Sequence, residues 1–125
     1  MARRFLIVDD NAQFLRAARD LLEREGVTVV GLASSSAEAL RLAGELRPDV
    51  VLVDVDLGDE SGLDLAERLA AGEHGPVVLI SAYPESEFAE LIAASPAAGF
   101  VSKSELSASA VGDILGTRGG RGQGR

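Results

Sequence analysis

An α/β three-layer sandwich, with helices on both faces of a doubly wound parallel five-stranded sheet, is the fold class the sequence predicts. Two observations carry it. Five short apolar runs recur along 125 residues, and each is followed by an amphipathic stretch with helical spacing. Strict alternation implies parallel neighbours, because a parallel pair needs a crossover, and that crossover is nearly always right-handed. The length allows one domain with one core, since single domains cluster around ~100–150 residues.

The elements follow in order. Phe5-Leu6-Ile7-Val8 is a short continuous apolar run, as in a strand covered on both faces. From Ala12 to Glu25 the apolar residues Phe14, Leu15, Ala18, Leu21 and Leu22 fall at helical spacing, and Gly26 is a stop signal. Val27 to Leu32 reads as the second strand. Ser34-Ser35-Ser36 supplies a cap with Glu38 in the first turn, and Ala39, Leu40, Leu42, Ala43 and Leu46 carry a helix up to Pro48. Val50-Val51-Leu52-Val53 is the third strand. Leu63, Leu65, Ala66 and Leu69 make the third helix, and Pro76 to Ile80 the fourth strand. Pro84 sits where a first helical turn tolerates it and opens a helix through Phe88, Leu91 and Ile92. Gly99-Phe100-Val101 is the fifth strand, and Leu106, Ala110, Val111, Ile114 and Leu115 mark a last helix. Five such units predict a flavodoxin-like (βα)5 sheet of order 2-1-3-4-5, whose ligands sit outside the carboxyl ends of the strands.

Composition narrows the function classes. Apolar residues make up 46% and charged residues 26%, ordinary globular usage, with no cysteine for disulfides or thiolate metal sites. The N-terminal run FLIV is too short for a signal-peptide core, and no stretch reaches the ~18–20 apolar residues of a membrane span, which together predict a cytoplasmic protein. Net charge is −8, and because three of the twelve basic residues lie in the last eight positions, the body to Gly116 holds nine basic against 20 acidic side chains, a net −11. Such a body repels nucleic-acid phosphate and suits a metal cation or a basic partner. The glycine-rich stretch GTRGGRGQGR is expected to be unstructured, giving a folded domain over residues 1–116 and a tail over 117–125.

At the predicted carboxyl edge stand Asp9-Asp10 after the first strand, Asp54 after the third, Ser81 after the fourth and Lys103 after the fifth. Three crowded carboxylates raise one another's pKa, and a divalent cation resolves the conflict. Oxygen-only ligands favour Mg2+, which keeps waters for a phosphate oxygen to replace. A carboxylate at a strand end is then a candidate nucleophile toward phosphorus, with Ser81 and Lys103 placed for the phosphoryl oxygens. An acid pair can equally cap a helix, and a lone lysine is usually solvated, so it is the joint placement that points to phosphoryl transfer.

With these five residues in hand, the chain resembles the receiver domain of two-component response regulators over about residues 4–115. The resemblance implies that Asp54 is the phosphoacceptor and that Asp9 and Asp10 hold Mg2+ with it, joined by the backbone carbonyl of Asp56. It matches Ser81 and Lys103 to phosphate-contacting residues and Phe100 to the aromatic switch that turns inward on activation. Tyr83 falls where the family controls access to the phosphate, and a bulky ring there is expected to slow water attack. Such a domain is a signalling module rather than an enzyme. Its phosphoryl donor is a histidine kinase or phosphotransfer protein, and its output partner docks on the fourth helix, fifth strand and fifth helix, with a homodimer also possible and no membrane or direct DNA contact expected. His74, the only histidine, is assigned no chemistry. One departure stands out. The family lysine usually precedes a cis proline, whereas Ser104 follows Lys103, and a cis non-proline bond costs ~3 kcal/mol, so either strain is tolerated or the loop differs.

Three rival readings account for less. Asp54-Val55-Asp56 also resembles the nucleophile motif of haloacid-dehalogenase-type phosphatases, but there the motif ends the first strand and the acidic pair comes last. An EF-hand loop counted from Asp54 would need Gly and Glu where Asp59 and Leu65 stand. A non-phosphorylated pseudo-receiver typically lacks one of the acids, and all are present.

Overall fold

The computed structural model describes the backbone of residues 3–122 and the side chains of residues 3–116. In chain order the elements are β1 (Arg4–Val8), α1 (Ala12–Arg24), β2 (Thr28–Ala33), α2 (Ser36–Leu46), β3 (Val50–Asp54), the two-residue strands β4 (Asp56–Leu57) and β5 (Glu60–Ser61), α3 (Gly62–Ala71), β6 (Val77–Ser81), α4 (Ala89–Ala94), β7 (Gly99–Ser102) and α5 (Ala108–Gly122). The main sheet is parallel with order β2-β1-β3-β6-β7. Leaving aside the small antiparallel β4–β5 pair, this is the 2-1-3-4-5 order expected.

Side chains alternate across the sheet. Leu6, Val8, Val51, Val53, Val77 and Leu79 face α2 and α3, meeting Ala39, Ala43, Leu65 and Leu69. Phe5, Ile7, Val50, Leu52, Val78 and Ile80 face α1 and α5, meeting Leu15, Leu22 and Val111. Burial on both faces explains why these strands read as continuous apolar runs. The first face is also joined by Phe88 and Ile92.

Local chemistry fixes the helix starts. Asn11 caps α1, its Oδ1 accepting from the Phe14 N–H (3.1 Å). Ser35 caps α2 by accepting from the Glu38 N–H (3.2 Å), while the Glu38 carboxylate accepts from the Ser34 N–H (2.8 Å).

Two expectations need correction. Pro84 does not open an α-helix directly but precedes a 3-10 helix, Glu85–Phe88, that hands over to the short α4. Proline favours extended backbone before a turn as readily as a first helical position, and Pro84 is extended at φ −68°, ψ 152°. The backbone of α5 runs to Gly122, past the Gly116 boundary read from composition, while residues 123–125 lie outside the described residues. Glycine weakens a growing helix by about 1 kcal/mol but does not forbid it, and each added residue closes another hydrogen bond. Among the described residues no helix is long and apolar enough to cross a membrane.

Candidate functional site at the carboxyl edge of the sheet

Register brings the strand ends together. Val8 lies beside Val53, Asp54 beside Ile80, and Ser81 beside Ser102, so the residues that end or follow β1, β3, β6 and β7 share one edge. A cavity of about 220 Å³ opens there, lined by Asp9, Asp10, Asp54, Ser81, Tyr83 and Lys103 among others.

Asp9 is completely buried (0% exposed), with its N–H donated to the Ala33 carbonyl (3.0 Å) and its Oδ1 accepting from the Asn11 N–H (2.8 Å). Because Asn11 does the helix capping, Asp10 is left exposed and free at the cavity. Asp54 is 6% exposed, and its Oδ1 accepts from the Asp56 N–H (3.0 Å). Carboxylate oxygens of Asp9, Asp10 and Asp54 lie within 4.8 Å of one another. Across them stands Lys103, whose Nζ is 2.6 Å from Asp9 Oδ2 and 3.0 Å from Asp54 Oδ2. The first contact is a close ion pair, and the Lys103 ammonium is the one group that meets this buried oxygen, which takes part in no other polar contact among the described residues.

Burial pushes the Asp54 carboxyl up to about 6. The Asp56 N–H and the Lys103 ammonium pull it down, and the Asp9 charge pushes it up, so desolvation wins. Burial alone would lower the Lys103 pKa, but the close contacts with the Asp9 and Asp54 carboxylates outweigh it and raise it. One ammonium thus faces three carboxylates, leaving negative charge in a confined place. Such a set of hard oxygen donors could hold a divalent cation.

The response regulator receiver domain family matches residues 5–111. The chain belongs to that family. A putative transcriptional regulator of Pseudomonas aeruginosa is 38% identical over 101 residues, 80% of this chain and 49% of that protein. The chain spans about half the length of the curated relatives it matches. Among solved structures, the signal receiver domain of a modulated diguanylate cyclase from Desulfovibrio desulfuricans is 30% identical with a TM-score of 0.78, covering 94% of this chain and 93% of that one. A Burkholderia pseudomallei response regulator, solved with a phosphorylated aspartic acid, a calcium ion and citrate, is 26% identical with a TM-score of 0.78, covering 95% and 72%.

The receiver fold does not gather every residue singled out from sequence. Ser81 lies in the cavity, buried, its Oγ accepting from the Tyr83 N–H (3.0 Å). Tyr83 stands at the mouth, 56% exposed. The Asp56 side chain turns into its own loop, accepting from the Gly58 N–H (3.2 Å), and is absent from the carboxylate cluster. Phe100 stands apart, half-buried on β7 with its ring 6.5 Å from that of Phe88. His74 lies near the opposite edge. No peptide bond among the described residues is cis, so the loop differs after Lys103, which begins a 3-10 helix, Lys103–Glu105.

Two glycines beside the site are required, Gly62 by close packing and Gly58 by its backbone conformation. A Cβ on Gly62 would lie 1.9 Å from the Asp54 carbonyl oxygen. Gly58 has φ +73°, and a Cβ there would lie 2.9 Å from Asp10 Oδ2. Also missed was Glu60, whose Oε1 accepts from the Ser36 N–H (2.8 Å) and ties the loop after β3 to the start of α2. A contact 24 residues away leaves no local pattern to find.

Proposed function

We propose that this receiver domain takes a phosphoryl group onto Asp54 from a phosphohistidine of a partner kinase or phosphotransfer protein. The observation that carries the reading is the convergence of three carboxylates within 4.8 Å, faced by the Lys103 ammonium. An Asp54 carboxylate oxygen attacks phosphorus, the phosphorus–nitrogen bond breaks, and the electron pair leaves with the imidazole, which takes up a proton. The similar Burkholderia pseudomallei response regulator, which carries a phosphorylated aspartic acid, supports this reading.

The buried Asp9 Oδ2, paired with the Lys103 ammonium, and its neighbouring carboxylates fit a hard cation. Asp9, Asp10, Asp54 and the backbone carbonyl of Asp56 would hold Mg2+, which when bound neutralises charge developing on the phosphoryl oxygens. Lys103 then pairs with a phosphoryl oxygen, and Ser81, released from the Tyr83 N–H, hydrogen-bonds another. Tyr83 at the mouth limits the approach of water.

Output passes to a partner in the cytoplasm at the face formed by α4, β7 and α5. Beside it, a groove of about 500 Å³ between the Pro84–Glu85 segment, β7 and α5 is lined by the half-buried Phe100 and Ile114 and the exposed Glu85, Glu105 and Asp113. An acid-rimmed apolar groove favours a cationic partner surface over a second copy of the same face. In this reading Phe100 repacks against Phe88 on activation and reshapes the groove.

The test is mass spectrometry after incubation with Mg2+ and acetyl phosphate. One labile phosphoryl adduct is expected, absent in Asp54→Asn and retained in Asp56→Ala. No adduct in the parent would leave a docking module without phosphoryl chemistry.

A further inference from the structure

Lys103 is the only lysine in the chain; every other basic side chain counted with it is arginine. Its turn gives it little support, since Ser102 is half-buried and Ser104 and Glu105 are exposed. A long stem held in one rotamer loses considerable freedom, so something must fix it. The carboxylates of Asp9 and Asp54 do so at 2.6 and 3.0 Å, but both have a second use in the reading above. A third contact does not. The Lys103 Nζ lies over the ring of Phe14, 4.3 Å from its centroid, within the range at which the negative face of an aromatic ring attracts a cation.

The ring is itself well placed. Phe14 is the third residue of α1, and its backbone N–H is pinned by the Asn11 cap. Helical side chains lean back toward the N-terminus, which here is the carboxyl edge of the sheet. Its body packs against the apolar cluster that fills that side of the sheet. The ring therefore cannot swing far, and Lys103, 17% exposed, meets it in a partly desolvated place where such contacts are strongest.

We infer that Phe14 is a positioning residue: its ring seats the Lys103 ammonium over the carboxylate edge and keeps it there when Asp9 and Asp54 are engaged elsewhere. The inference rests on the phosphoacceptor reading for its effect on rate, but not for the placement of the lysine. An aliphatic side chain at position 14 would preserve the core contact while removing the ring face.

Labelling the full chain with 13C-lysine gives a single Hε–Cε signal, because there is a single lysine. That signal is expected upfield of its free-lysine position in the parent, to stay upfield with Mg2+ and beryllofluoride, to return toward the free position in Phe14→Leu, and to remain upfield in Phe14→Tyr. The initial rate of phosphorylation by acetyl phosphate should fall about three- to tenfold in Phe14→Leu and recover in Phe14→Tyr. A parent signal at the free-lysine position overturns the inference, as do equal rates in parent and Phe14→Leu. Should Phe14→Leu not fold, the parent signal and Phe14→Tyr still decide it. Absence of any adduct in the parent counts against the phosphoacceptor reading alone, and the lysine signal then decides the seat.

Discussion

The two edges of the sheet both carry acids, bases and a cavity, yet they hold their charges differently. At the amino edge Asp49 is exposed, its Oδ2 accepts from the Arg4 N–H (2.7 Å), and the Arg4 guanidinium donates to the Arg47 carbonyl (2.7 Å). The cavity there, about 370 Å³ with Arg47, Glu73 and His74 in its wall, is the larger of the two. At the carboxyl edge the cavity is about 220 Å³, but Asp9 is fully buried and one of its oxygens meets no polar group but the Lys103 ammonium among the described residues. Size does not mark the site. What distinguishes it is charge held out of water, two buried carboxylates sharing one ammonium, a costly arrangement that folding alone gives no reason to keep.

The comparison breaks most sharply at a glycine. Gly62→Ala would bring a Cβ to 1.9 Å from the Asp54 carbonyl oxygen and 2.8 Å from its carbon, both backbone atoms that cannot step aside. We expect a loss of about 3 kcal/mol or more in urea unfolding, at the upper end for overpacking, together with a displaced loop after β3. A variant within about 0.5 kcal/mol of the parent would mean that the loop after β3 yields easily and the carboxyl edge is no more constrained than the other.

A smaller effect should appear with pH. The Asp54 carboxyl is raised from 3.8 to about 6 by burial, so the folded protein binds its proton more tightly than the unfolded chain does. The associated stability is fully present below about pH 4 and is lost as pH rises through about 6. Asp54→Asn removes the buried charge and should gain about 1–3 kcal/mol on the parent at pH 7 in metal-free buffer, less whatever pairing with Lys103 is forfeited. Urea midpoints for both proteins at pH 4 and pH 7 give the size. An advantage that shrinks as pH rises would contradict the sign.

The sheet and its edge were legible because both depend on runs and order. Strands buried on two faces must be apolar throughout, and whatever polar residue ends each run must emerge at the edge, which is how Asp9, Asp54, Ser81 and Lys103 could be grouped. Features that depend on a single distant contact were not legible. The β4–β5 pair is two residues long on each side and has no period to detect. Phe14 fits the apolar face of α1, so helical spacing explains it completely and hides its second contact with Lys103. Gly62 reads as an ordinary loop glycine until the Asp54 carbonyl is placed against it.

The same substitution at the other edge should do the opposite, and this is the smallest effect. Gly44 lies inside α2, where glycine costs a helix up to about 1 kcal/mol relative to alanine. A Cβ there meets only His74 Cε1 at 3.8 Å, an ordinary van der Waals contact. Gly44→Ala should therefore stabilise the fold by about 0.5–1 kcal/mol and leave the yield of phosphoryl adduct unchanged. The two glycines make a controlled pair, each losing the same backbone freedom for one added methyl group, so that opposite signs isolate what the carboxyl edge demands of its loop. If Gly44→Ala were also destabilising by several kcal/mol, packing at the amino edge would be as exacting, and the contrast between the edges would reduce to their charge.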